Sequence, residues 1–276
     1  RYLRQKAFLV DRRRVYAALV FFPCFYVLVR FLPPLAFSIF VGTGIVIAQY
    51  EYYRLHFADT FSPQIALGLG LGLLVTTGFS IPGLLSDSAT VSFIVVAILL
   101  NQLFSGRDLK SGFVDTAVLA FGIFYVAWLV GHMILIRHLH AGAFLIFFLF
   151  LVTWANDTGA YFVGSLRGRS AMAPRISPGK TWEGAFGGIV ASLAAALACR
   201  AWFLPTLTSA EALGFGLLVG VMAPLGDLAE SIMKRSAGVK DSGRIIPGHG
   251  GILDRIDSLI FTTPAFYYYL LAVRTP

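Results

Sequence analysis

Charge is scarce in this chain. Asp, Glu, Lys and Arg make up 13% of its 276 residues, against roughly a quarter in soluble globular domains, and that deficit excludes an ordinary water-facing fold. Cysteine is nearly absent: Cys24 and Cys199 sit in separate apolar stretches, where small buried residues explain them better than a disulfide or a metal pair. Repeats and low-complexity segments are lacking, and so is the alternating polarity of a membrane barrel. What is abundant is apolar side chain, at 57% of the sequence.

Lipid demands that every backbone polar group be satisfied within the segment, so long apolar stretches predict helices. A spanning helix takes about 20 apolar residues, and the sequence predicts an all-α polytopic membrane protein of about nine transmembrane helices. They lie near residues 15–32, 34–50, 64–85, 89–105, 113–136, 141–165, 184–204, 211–233 and 251–272. The second and third are the weakest, because Gly42, Gly44, Gly68, Gly70 and Gly72 lower helix propensity and Pro33 and Pro34 leave almost no first loop. The basic start followed by an apolar stretch mimics a signal peptide, but without a small-residue cleavage site it reads as a retained first helix.

Basic residues orient the chain. With the N-terminus in the cytoplasm, the cytoplasmic segments hold the Arg1 to Arg14 group, Arg54, Arg107, Lys110, Arg167, Arg169, Arg175, Lys180, Lys234, Arg235, Lys240 and Arg244. The opposite side keeps Arg30, Arg137, Arg200 and Arg274. The net charge of +8 is what this rule and anionic headgroups produce; with no soluble basic domain or aromatic-interleaved stripe, nucleic acid is not expected as a partner. Candidate chemistry concentrates late in the chain, which divides it into a membrane scaffold half, 1–140, and a catalytic membrane half, 141–276.

Residues 227–258 carry five carboxylates, five cationic side chains, a histidine and several glycines. Ionisable groups beside membrane spans are costly and point to function. Asp227 lies roughly 10 Å inside a helix end by the rise of about 1.5 Å per residue, and Asp254 stands just inside the returning helix. The pair suits a hard divalent cation such as Mg2+; salt bridges to Lys234 and Arg255 are the structural alternative. Asp227, Ser231 and Lys234 share one helix face, which Glu230 can join, and Asp254, Asp257 and Ser258 share another. Between them, Lys240, Asp241, Arg244, His249, Gly250 and Gly251 form a cationic, flexible loop running into a helix N-terminus, a setting for phosphate.

The preceding loop, Ser177 to Gly184, begins with Ser-Pro as an N-cap and first helical turn would. Its Gly179, Lys180 and Thr181 invite comparison with a P-loop, but Pro174 stands where that motif needs glycine and no preceding strand is expected, so a Walker ATPase is rejected. Asn156 and Asp157 lie two to three turns inside another span. The Asn156 amide can simply fasten helices, whereas a bare acid such as Asp157 points to function.

These residues resemble the phosphatidate cytidylyltransferases, also called CDP-diacylglycerol synthases. That family's C-terminal signature is matched by Ser231, Met233, Lys234, Arg235, Lys240, Asp241, His249, Gly250, Gly251, Ile252, Asp254, Arg255, Ile256 and Asp257 without departure. The Asn156 to Gly164 and Ser177 to Gly184 stretches also look like family motifs, although Gly179 replaces a lysine common there. The resemblance implies transfer of CMP from CTP to phosphatidic acid, giving CDP-diacylglycerol and pyrophosphate. It implies catalytic roles for Asp227, Lys234, Arg235, Lys240, Asp241, Asp254 and Arg255. Substrate contacts would fall to Asn156, Asp157, Ser177, Lys180, Thr181, Ser231, His249, Gly250, Gly251 and Asp257, with Asp227 and Asp254 on Mg2+ and room for a second cation.

The phosphatidate oxygen is already anionic, so in-line attack on the α-phosphorus needs positioning and charge neutralisation rather than a general base. A polar site near the cytoplasmic face, open sideways to lipid, lets a soluble and a bilayer substrate meet. A compact, tail-free chain of this kind suggests a bacterial inner membrane, and its small-residue faces are compatible with a homodimer. Two rivals remain: a secondary transporter of an anionic substrate, and a related CTP-dependent lipid enzyme.

Overall fold

Prolines and short hydroxyl side chains open the helices. Pro34 begins α1 (Pro34–Arg54) and Pro63 begins α2 (Pro63–Ser80), positions where a missing N–H costs nothing. Ser62 and Ser86 each accept a backbone N–H at 3.2 Å, from Ile65 and Ala89, capping α2 and α3 (Asp87–Phe104). Helix α4 (Leu109–Gly122) passes through a π-helical turn, Ile123–Trp128, into α5 (Leu129–His138). Helices α6 (Gly142–Arg167), α7 (Trp182–Phe203), α8 (Ser209–Ser236) and α9 (Leu253–Arg274) follow. Thr208 and Glu211 close a reciprocal capping box at the start of α8. This computed structural model describes residues 22–57, 62–81, 83–84, 86–106, 109–243, 245 and 250–274.

Eight helices among the described residues are long and apolar enough to cross a membrane, with Lys110–His138 counted as one. Each coincides with an expected span. The remaining expected span, 15–32, lies partly outside the described residues; 22–30 are helical, and Phe25 is buried against Phe147 and Phe150 of α6.

In the glycine-rich second and third spans, Gly68 and Gly72 make room for large neighbours, whereas Gly44 and Gly70 meet nothing within 4 Å. A Cβ on Gly68 would lie 2.5 Å from the Tyr53 ring, and one on Gly72 would collide with the Gln49 amide. Gln49 Nε2 donates to the Gly68 carbonyl and to the Tyr53 hydroxyl, both at 2.9 Å, and Tyr53 donates to the Leu119 carbonyl at 3.0 Å. A buried polar relay thus joins α1, α2 and α4.

In the second half, α6 packs along α7, α7 along α8 and α8 along α9, while α9 also meets α5. A Cβ on Gly159 would lie 2.5 Å from that of Ala191, so α6 and α7 touch almost backbone to backbone. Phe148, Phe215 and Phe266 fill the space between α6, α8 and α9, with centroids as close as 3.9 Å. By contrast, α3 turns Phe93, Leu99, Leu103 and Phe104 outward, as a lipid-facing helix does.

One local expectation is corrected. Ser177 and Pro178 do not open a helix; they lie on β2 (Ser177–Thr181), paired antiparallel with β1 (Ala171–Ala173). A two-stranded hairpin has free edges, where proline's missing N–H is tolerated. Thr181 caps α7 instead, accepting the Gly184 N–H at 3.1 Å. Glu183 then accepts the Arg169 and Ser170 amides at 3.1 and 3.2 Å, pinning the hairpin to the helix start.

Candidate functional site

Helices α8 and α9 meet closely at Gly226, where a Cβ would lie 2.5 Å from the Asp257 carbonyl oxygen. That approach sets Asp227 of α8 beside Asp257 of α9. Together with Glu230, one turn further along α8, they present carboxylate oxygens all within 4.8 Å of one another. Asp157 of α6 joins them through Ser258, whose hydroxyl donates to Asp157 at 3.4 Å and whose N–H donates to Asp257 at 2.6 Å.

Two lysines answer this charge. Lys180, at the end of the hairpin, reaches Asp227 at 2.7 Å and the Pro224 carbonyl at 3.2 Å. Lys234 ion-pairs with Glu230 and, at 2.6 Å, with Asp254. Ser231 donates to Asp227 at 3.3 Å. The cluster is graded in exposure: the Asp227 side chain is 34% exposed, whereas Glu230 is sealed at 0%. Five acids, Asp157, Asp227, Glu230, Asp254 and Asp257, therefore face two ion-paired lysines. An all-oxygen donor set with surplus negative charge fits a hard divalent cation.

Asp254 departs from its expected place. The sequence places it beside Asp227 as the second metal ligand, but its oxygens are taken by Lys234, by the Ser242 N–H at 3.0 Å and the Gly251 N–H at 2.8 Å, and by a share of the Ser242 hydroxyl at 3.1 Å, whose single proton lies between Asp254 and Glu51. Asp257, three residues on, takes the place beside Asp227, and Glu230 completes a group of three acids that could hold a metal ion. The glycine loop differs as well. A Cβ on Gly250 would lie 2.7 Å from Asp254 Oδ2, and one on Gly251 would collide with Glu51, so these glycines wrap protein carboxylates. The Gly251, Ile252 and Leu253 amides, where the sequence leads one to expect phosphate, already donate to Asp254 and Glu51.

Other expected residues stand further out. Arg235 is exposed and donates to the Ile176 and Val239 carbonyls at 3.2 and 2.9 Å, tying the hairpin to the end of α8. Lys240, Asp241 and Arg255 are exposed, and no ion pair among the described residues joins them to the acids. Ser177 lies on β2, and Thr181 spends its hydroxyl on the α7 cap. Asn156 is buried at 2%, its Nδ2 without a hydrogen-bond partner among the described residues. His249 lies outside the described residues.

Three residues were not foreseen. Glu51 of α1 is buried and accepts hydrogen bonds from Ser242, Ile252 and Leu253; its signal in the sequence is a lone acid at the end of an apolar run. Ser242, which donates to Asp254 and Glu51, lies unremarked inside the signature stretch. Tyr125 sits on the π-helical turn, buried at 3%, its hydroxyl unpartnered among the described residues and within electrostatic reach of Glu230, Asp257 and Asp227. A π-turn often marks a functional position. A cavity of about 470 Å³ opens elsewhere, between Pro63 and Gln64 of α2 and Leu100, Asn101, Phe104 and Ser105 of α3. None of the five acids lines it.

Comparison with known proteins bears on what this cluster does. A stretch of an uncharacterized Escherichia coli protein, YnbB, is 44% identical over 150 residues, covering 54% of this chain and 49% of that protein. A phosphatidate cytidylyltransferase of Haemophilus influenzae is 43% identical over 136 residues, 48% of this chain and 47% of the relative. The match thus spans about half the length of these two relatives. One from Staphylococcus aureus is 35% identical over 244 residues, 86% of this chain and 90% of its own length. The family model described as the cytidylyltransferase family matches residues 12–273, a span that contains every residue of the cluster, and the chain belongs to that family of nucleotidyltransferases.

Proposed function

We propose that this protein transfers CMP from CTP to phosphatidic acid, releasing pyrophosphate and leaving CDP-diacylglycerol in the bilayer. The observation that carries the proposal is the group of Asp227, Glu230 and Asp257, on two helices long and apolar enough to cross a membrane, with Lys180 and Lys234 beside it, in a chain whose relatives include named phosphatidate cytidylyltransferases.

In this reading Asp227, Glu230 and Asp257 hold Mg2+, and Asp157, linked through Ser258, leaves room for a second cation. The bound metal would supply polarisation and charge neutralisation at the phosphoryl oxygens. Lys180, partly exposed beside Asp227, is placed to exchange its carboxylate partner for a substrate phosphate oxygen. Lys234 keeps Glu230 and Asp254 at fixed separation, holding the acids in register for in-line attack. The phosphatidate oxygen, already ionised, attacks the α-phosphorus as the bond to pyrophosphate breaks, so no residue need remove a proton. With the α9 amides occupied by carboxylates, triphosphate charge falls to the side-chain cations, including exposed Arg235, Lys240 and Arg255.

The topology proposed with this chemistry has the N-terminus and the site on the cytoplasmic side of a bacterial inner membrane, nine spans, and catalysis concentrated in residues 141–276. A homodimer is compatible with it. Purified protein in detergent with labelled CTP, Mg2+ and phosphatidic acid should yield CDP-lipid and pyrophosphate. CDP with a phosphorylated lipid would instead identify a CTP-dependent kinase, and absence of turnover would favour the transporter of an anionic substrate.

A further inference from the structure

Helix α9 begins without a local cap of the usual kind. Its first residue, Leu253, follows Gly250, Gly251 and Ile252, and none of these carries a side-chain oxygen to receive the free amides of a helix start. The acceptor comes from the other half of the chain. Glu51, near the end of α1, accepts the Ile252 N–H through one oxygen at 3.1 Å. Its other oxygen accepts the Leu253 N–H at 2.8 Å and the Ser242 hydroxyl at 3.2 Å. The residue is 3% exposed.

The loop is shaped for this carboxylate. Both Gly243 and Gly251 approach so closely that a Cβ at either would collide with Glu51. A negative group at a helix N-terminus is favoured by the helix dipole and by the unpaired amides there. The carboxylate also grips both ends of the 242–253 stretch at once. Ser242 and Gly251 in turn donate to Asp254, which holds Lys234, which pairs with Glu230 of the acid cluster. An unbroken series of hydrogen bonds and ion pairs therefore runs from α1 to the acids.

From this we infer that Glu51 is a positioning residue for the acid-and-lysine site: it fixes the start of α9 and through Asp254 sets where Lys234 stands. The scaffold half would then contribute to reactivity without touching substrate. For its activity readout the inference rests on the proposed CMP transfer; for its structural readout it does not.

Glu51→Gln keeps the shape of the side chain and turns one acceptor into an N–H2 group facing N–H donors. Two measurements on the full-length protein in detergent test the inference. Amide exchange followed by mass spectrometry in peptides covering 241–256 should rise at least tenfold, while the middles of α1 and α9 change less than twofold. In the CMP-transfer assay, kcat should fall on the order of tenfold to a hundredfold, the scale of a misplaced catalytic group, with KM for CTP and for phosphatidic acid within threefold of wild type. A residue that merely stabilised the fold would lower the active fraction and leave turnover per folded molecule unchanged.

Unchanged exchange overturns the clamp, and raised exchange with unchanged kcat overturns its role in positioning. Should Glu51→Gln fail to fold, Ser242→Ala removes the hydroxyl that lies between Glu51 and Asp254 and is expected to give the same changes at a few-fold scale; wild-type values for it overturn the inference equally. Wild-type protein that forms no CDP-lipid would overturn the proposed reaction, and the exchange measurement would still decide the clamp.

Discussion

Replacing Lys234 by methionine preserves a long unbranched stem and removes the charge lying between two acids. In the folded protein the Lys234 side chain is 11% exposed, that of Glu230 0% and that of Asp254 7%, so water replaces little of what is lost. The two acids differ in what remains to them. Asp254 keeps the Gly251 and Ser242 amides and a share of the Ser242 hydroxyl, whereas no partner of Glu230 besides Lys234 is found among the described residues. Most of the cost should therefore fall on Glu230. Removing one member of a buried pair costs about 3–5 kcal/mol, and because Asp254 is cushioned we expect a value near the lower end, about 3 kcal/mol. Adding Glu230→Gln to Lys234→Met neutralises the orphaned acid and should restore roughly 1–2 kcal/mol of it, the penalty of a buried unsatisfied group. Unfolding by SDS titration in mixed micelles, followed by circular dichroism, measures both. A loss below about 1 kcal/mol for Lys234→Met, or no recovery in the double variant, would refute Lys234 as the buried counter-ion of these acids.

Asp227→Asn and Asp257→Asn should each lower CMP transfer by at least about a hundredfold at saturating Mg2+, as loss of a transition-state electrostatic group does, and near-normal turnover in either would remove it from the metal set. Asp254→Asn should lower turnover without shifting the Mg2+ concentration for half-maximal rate, because its oxygens serve Lys234 and the loop; a shift would return it to the ligands. Gly188→Ala would put a Cβ 2.9 Å from Asn156 Nδ2 and 3.1 Å from the Asn156 carbonyl, and the overpacking should destabilise the α6–α7 pair by about 1–3 kcal/mol in the same unfolding assay. Thr208→Ala removes half of the α8 capping box and should cost about 1 kcal/mol while leaving KM for CTP unchanged.

Eight of the spans were legible because each is a long run of apolar residues whose backbone lipid leaves no alternative but helix. The hairpin was not, because Ser177 and Pro178 satisfy the local rules for a helix start as well as those for a strand edge; Glu183 decides by holding the Arg169 and Ser170 amides. Helical spacing correctly gathered Asp227, Ser231 and Lys234 on one face, and Asp254 with Asp257 on another, but both acids of α9 fit that face equally. What separates them is Gly226, whose missing Cβ lets α8 press on α9 opposite Asp257, and the Ser242 and Gly251 donors that claim Asp254. Glu51 was hidden for a different reason: Ile252 and Leu253 lie 201 and 202 residues away along the chain, and an acid one turn before Arg54 looks like an ordinary solvated helix end. Local rules describe what a residue prefers among its neighbours; they do not say which distant backbone will need an acceptor. The absence of any capping side chain at Gly250, Gly251 and Ile252 was visible in the sequence, and a helix start left bare in so apolar a chain implies an acceptor supplied from elsewhere. The uncapped end of α9 and the lone acid of α1 were thus two halves of one signal.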